Sequence, residues 1–127
     1  MSQQLNKRQE QLKERFIAER GYWSEELWGQ VLIADVDFFE ACLNFSAAPW
    51  KNGVLPPKMK ELIYIAIDAA TTHLYVPGLR QHIKNAFKYG ATKEEIMEVF
   101  ELVSAMGMHS IIVGMPVLIE ELEKAAD

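Results

Sequence analysis

Three histidines, two acids on an apolar segment and one cysteine are the side chains of this 127-residue chain best suited to chemistry. They are His73, His82, His109, Glu61, Asp68 and Cys42. Imidazole suits proton transfer near neutrality, because its unperturbed pKa is about 6.5. On a helix from about Leu79 to Tyr89, positions 79, 82, 83, 86 and 90 share one face. That face reads Leu, His, Ile, Ala, Gly, so His82 points inward, while Arg80, Lys84 and Lys88 form a solvated side. His73 follows Thr71-Thr72 at the end of the preceding helix, where the dipole favours a cation. His109, near Gly107 and Ser110, has the weakest case.

Glu61 lies in the first turns of its helix, where the dipole favours a carboxylate with no function required. Asp68 is flanked by Ile65, Ala66, Ile67, Ala69 and Ala70. A buried carboxylate must be paired, hydrogen-bonded or shifted to a higher pKa, so Asp68 either faces a polar channel or pairs across an interface. Straight helix would hold Glu61 and His73 about 18 Å apart. Both can meet one substrate only if the helix ends early or subunits share the site.

Other chemistries fare worse. Joining His73 and His82 through a metal requires an H-x8-H spacing across Pro77-Gly78, which matches no compact metal motif and names no third ligand. Cys42 alone can form neither an internal disulfide nor a CxxC pair. No G-x-S-x-G elbow exists for a serine nucleophile.

These side chains must be held by helices, since apolar residues recur at helical spacing and no alternating pattern persists. The length predicts one all-α domain over residues 1–127. Gln3 to Glu19 reads as a polar helix with a thin stripe of Leu5, Leu12, Phe16 and Ile17, on the surface or against a partner, ended by Gly21. Ser24 caps a helical run to Phe45, broken near Asp35. Pro49 to Pro57 marks a loop, with Pro57 suited to a first helical turn. Lys58 to Thr72 is apolar around its circumference, which predicts burial at or near a subunit contact. Pro77 and Gly78 punctuate the next connection, Thr92-Lys-Glu-Glu95 is a capping box, and Met108 to Lys124 is a helix kinked near Pro116.

The net charge of −5, without a basic cluster, argues against a nucleic-acid partner. Met1 to Arg8 carries no secretory apolar stretch. Ser104 to Ile119 falls short of the roughly 20 apolar residues that cross a bilayer. The expectation is a cytoplasmic protein with no membrane partner.

The stretch from Leu55 to Glu121 resembles the carboxymuconolactone decarboxylase family, which includes the alkylhydroperoxidase D-like proteins. The resemblance rests on Lys60-Glu61-Leu62-Ile63, on His82-Ile83-Lys84-Asn85-Ala86, and on Tyr89-Gly90-Ala91-Thr92-Lys93-Glu94-Glu95-Ile96-Met97-Glu98-Val99. The peroxidase branch uses a Glu, a CxxC pair and a later His. Glu61 and His82 match the acid and the histidine, but His73 stands at the first Cys position and the second falls near Tyr75 or Val76. Without those thiols a dithiol peroxidase is excluded.

What remains resembles the cysteine-free decarboxylase branch. That implies an all-helical, cofactor-free homotrimer or homohexamer in aromatic-compound catabolism, acting on a small carboxylated lactone. The resemblance places the site at His82 first, then His73 and Glu61, with His82 as proton donor. Extra residues around Val76-Pro77-Gly78-Leu79 depart from the pattern, so the substrate can differ from carboxymuconolactone. Two other classes stay open: a non-catalytic helical oligomer or subunit that binds a small molecule, and a metal-dependent hydrolase or isomerase using His73 and His82.

Overall fold

A computed structural model describes residues 4–126, and every regular element among them is helical. Helix α1 spans Lys7–Arg20, and Gln3, predicted as its start, lies outside the described residues. Asn6 caps it reciprocally with Gln9, and Gly21 closes it at φ 78°, a conformation that glycine adopts without steric cost. Ser24 caps a π-helical turn, Glu25–Gly29, which runs into α2, Gln30–Ala34. Asp35 breaks the run as expected and caps α3, Val36–Asn52, through the Phe38 amide.

The thin apolar stripe of α1 does not wait for a partner. Leu12 and Phe16 pack with Tyr22, Leu32, Phe39 and Leu43 of the same chain. Phe16 lies 5.3–5.9 Å from the rings of Tyr22, Trp23, Trp28 and Phe39. Pro49, predicted to open a loop, sits inside α3, whose last turn continues to Asn52. That turn is held by Trp50, whose indole N–H donates to the Tyr64 hydroxyl and whose ring carries Lys60 Nζ at 4.9 Å.

Helix α4 is Pro57–Ala69, with proline in the first turn as predicted. Its end comes three residues earlier than the apolar pattern suggested. Ala70 turns to extended backbone, Leu74 adopts φ 47°, and the Tyr75 amide donates to the Asp68 carbonyl at 2.8 Å. The predicted all-round burial is not met within the chain. The buried positions of α4 are Glu61, Ile65 and Asp68, while Ile63 and Ile67 are exposed. An i, i+4, i+7 face therefore turns two acids inward and leaves isoleucines outside.

Helix α5, Val76–Lys88, begins before Pro77 and Gly78, which occupy its first turn instead of a connection. Proline is favoured there because its missing amide proton would be unpaired anyway. Gly78 is needed for close packing, since a Cβ at that position would run into Asp68 Oδ2 and the Tyr75 ring. Thr92 and Glu95 form the predicted capping box of α6, Lys93–Val103. Ile65, Ala86, Ala91 and Ile96 make a second core, flanked by Leu62, Ile83 and Val99. Helix α7, Ala105–Ala126, has no buried residue among those described and starts before the predicted Met108.

Candidate active site

His82 stands on α5, which also carries Ala86 of the second core, and its ring meets Tyr22 of the first. Helix α5 presents this imidazole to α4, where Nδ1 lies 2.6 Å from Glu61 Oε2, a distance typical of a charge-assisted bond. The Glu61 side chain is wholly buried and that of His82 is 12 % exposed. A carboxylate only accepts, so Nδ1–H donates to Glu61 and Nε2 is the free nitrogen. Asn85, one turn along α5, donates to Glu61 Oε1 at 3.4 Å, and Gln81 Nε2 donates to Asn85 Oδ1 at 2.9 Å. Tyr64 stacks on the imidazole at 4.5 Å, and Tyr22 meets it edge-on at 6.3 Å. The ring is thus fixed in plane, in tilt and in tautomer.

Asp68 sits between two histidines of its own chain. Its Oδ2 lies 3.8 Å from His82 Nε2, and its Oδ1 lies 3.4 Å from His73 Nε2. Burial raises the Asp68 pKa above the ordinary carboxyl value, against the opposing pull of His82 and His73. Burial likewise pushes the Tyr22 phenol up, more than nearby Arg20 and its Trp28 hydrogen bond lower it.

Two openings share His82, Tyr22 and Trp28. One, of about 530 Å³, is walled by Arg20, Phe45, Pro49 and Tyr64. The other, of about 360 Å³, includes Asp68, His73, Tyr75 and Gly78. Both volumes lie in the range of small-molecule sites.

Of the three predicted site residues, Glu61 and His82 are in direct contact. His73 joins them only through Asp68, and its side chain is half exposed. The early end of α4 lets one region hold Glu61 and His73. His109 lies on α7, exposed and outside both openings. Cys42, half-buried on α3, lines neither. Among the described residues no group of three His, Cys, Asp or Glu side chains is arranged to hold a metal ion.

Sequence reasoning missed Tyr64, Asn85, Arg20 and Tyr22. The first two carried a signal, each standing three residues along a helix from Glu61 or His82. Arg20 and Tyr22 carried none, since the end of a highly charged helix reads as solvated.

The all-helical fold is the one that the resemblance implied, and within it Glu61 and His82 meet between two adjacent helices. Residues 37–114 match the model of the carboxymuconolactone decarboxylase family, and the chain belongs to that family. The match begins within α3, upstream of the Leu55 start read from motifs, and ends within α7. A solved structure from Burkholderia xenovorans LB400, a provisionally assigned gamma-carboxymuconolactone decarboxylase subunit, superposes with a TM-score of 0.93 at 48% identity. The match covers 98% of this chain and 50% of that one, so the present chain spans half the length of that relative. No curated protein matches.

Proposed function

We propose that this chain is a decarboxylase acting on a small carboxylated lactone or related ring compound, with His82 as the proton donor. The reading is carried by one observation: a buried Glu61 locks His82 so that Nε2 is the free nitrogen of a ring that lines both openings. In such a reaction the bond to the leaving carboxylate breaks. Its electron pair moves through the ring double bond onto the lactone carbonyl oxygen. An imidazolium at that oxygen stabilises the developing charge, and its proton then passes to ring carbon, leaving neutral His82 to be reprotonated from water. Glu61 holds the imidazolium charge and orientation throughout.

The test is release of one carbon dioxide per γ-carboxylated butenolide consumed, followed with matched loss of substrate absorbance. His82→Gln should lower turnover about 100-fold or more with helicity and assembly unchanged. Near wild-type turnover in that variant would make His82 structural.

The resemblance also implied self-association, and the surface supports it. The chain exposes 8948 Å², whereas a folded monomer of 14.5 kDa exposes about 6,900 Å². The excess, about 2,000 Å² on one chain, is more than the roughly 800 Å² that each partner buries in a standard interface. It is concentrated on α7, where Met108, Ile111, Ile112, Val113 and Leu122 are all more than half exposed, and on Ile63 and Ile67 of α4. The occupant proposed is a second copy of this chain, in a homotrimer or homohexamer. By length and composition alone the Lys93–Ala126 run could also cross a membrane. However, its apolar centre stops at Ile119, before Glu120, Glu121 and Glu123. Light scattering at micromolar concentration should find no stable monomer. A stable monomer, or protein floating with lipid vesicles, would overturn this assignment.

A further inference from the structure

The guanidinium of Arg20 is the least expected group in the molecule. It ends α1, where an exposed arginine would merely complement the helix dipole. Instead it is only 4 % exposed. Its Cζ lies 5.4–5.8 Å from the ring centroids of Phe16, Tyr22, Trp50 and Tyr64. Its Nε is buried with no hydrogen-bond partner, and no carboxylate among the described residues is within ion-pair distance of it. Glu19 pairs through Oε1 with Arg15 and Lys51, its buried Oε2 making no hydrogen bond, and Glu61 is held by His82 and Asn85.

Aromatic faces attract a cation but do not replace hydrogen bonds to a planar fork of donors. A buried, unpaired charge is costly unless a counter-charge arrives. Arg20 lines the 530 Å³ opening together with His82. Tyr64 touches both, its ring 5.4 Å from the guanidinium and 4.5 Å from the imidazole.

We propose that Arg20, within its cage of Tyr22, Trp50 and Tyr64, is a carboxylate-binding subsite. It holds the anionic end of a small ring compound while His82 faces the ring. The guanidinium fork matches a carboxylate in two parallel hydrogen bonds, and the rings of Tyr22, Trp28 and Tyr64 line the opening beside it. The subsite stands on its own geometry, but which carboxylate it holds rests on the proposed decarboxylation. On that reading Arg20 grips the carboxylate that stays. An ion pair to the departing group would weaken as its charge moves into the ring, which would oppose the reaction.

The test reads binding, not turnover, so it succeeds or fails independently of the decarboxylase assignment. Tryptophan fluorescence reports titration of the full chain with furan-2-acetate and with its uncharged analogue furan-2-acetamide at neutral pH. The acid should bind at least about tenfold more tightly than the amide, as expected for a hydrogen-bonded charge. Arg20→Gln should abolish that preference, whereas His109→Gln, exposed and outside both openings, should keep it. If Arg20→Gln does not fold, Arg20→Lys should retain charge, lose the fork and show a reduced preference. Equal affinity for acid and amide, absence of binding by the acid, or a preference that survives Arg20→Gln would each overturn the proposal.

Discussion

The helices before Asn52 pack through large rings, whereas α4 to α6 pack through small and branched aliphatic groups. Phe16, Tyr22 and Phe39 anchor the first core; Ile65, Ala86, Ala91 and Ile96 form the second. The chemistry divides along the same line. Glu61, Tyr64, Asp68, His82 and Asn85 all belong to the second half, and all lie within the 37–114 family match. Arg20, Tyr22 and Trp28 belong to the first half and lie before it. The Glu61–His82 pair thus sits inside the family match, whereas the walls of the openings draw on both halves: Phe45, Pro49 and Tyr64 lie within the match, Arg20, Tyr22 and Trp28 before it. The fold and the pair alone therefore do not fix what this chain binds.

The largest effect should come from breaking the first core. Phe16 is 1 % exposed and touches four aromatic rings, so Phe16→Ala should cost about 3–5 kcal/mol in urea unfolding. Ile65→Val, in the second core, should cost only about 0.5–1.5 kcal/mol. Equal costs would mean that the two cores are not built differently in any energetic sense.

The next test addresses the pair itself. Glu61→Gln keeps the volume but removes the charge that fixes the His82 tautomer. Turnover should fall about 100-fold while KM changes little, the mark of an interaction that matters mainly in the transition state. A rise in KM with unchanged kcat would move Glu61 from proton chemistry to substrate binding.

Much of the second half was legible because its signals are local. Thr92 and Glu95 announce a capping box by spacing alone, and the inward position of His82 follows from three- and four-residue steps. Pro77 was misread, although the argument applied correctly to Pro57 holds there too: proline opens a helix as readily as it separates two. Pro49 was misread for another reason, since a long-range anchor at Trp50 holds the turn around it. The role of Asp68 and the cage around Arg20 were illegible because both depend on tertiary approach. Asp68 meets His73 across a chain reversal, and Arg20 meets Tyr64 across 44 positions of sequence.

A smaller effect should appear in the pH dependence of stability. Because the Asp68 pKa is raised in the folded chain, the native state binds its proton more tightly than the unfolded state does. Its contribution is therefore fully present below the ordinary carboxyl pKa of about 4 and is lost as pH rises through the folded value. Asp68→Asn removes this slope. Between about pH 4 and 6, below the ordinary imidazole pKa, wild-type Tm should fall relative to that of the variant. A constant difference across the window would show that Asp68 titrates as it does when unfolded.

The smallest expected effect compares the turns that follow α1 and α4. Each places one residue in the left-handed region: Gly21 at φ 78° and Leu74 at φ 47°. Glycine adopts that conformation freely, whereas leucine pays a steric penalty of about 1 kcal/mol or more. Leu74 is 64 % exposed, so little burial offsets the strain. The turn is retained because it does other work: His73 and Leu74 amides both close on the Ala70 carbonyl, and the Tyr75 amide returns to Asp68. Asparagine tolerates the left-handed region and keeps a side chain of similar length. Leu74→Asn should therefore raise stability by up to about 1 kcal/mol, read as a higher urea midpoint at unchanged m-value. A lower midpoint would mean that the leucine side chain is covered in the assembled protein, and the exposed rim of the second opening would then belong to a subunit contact.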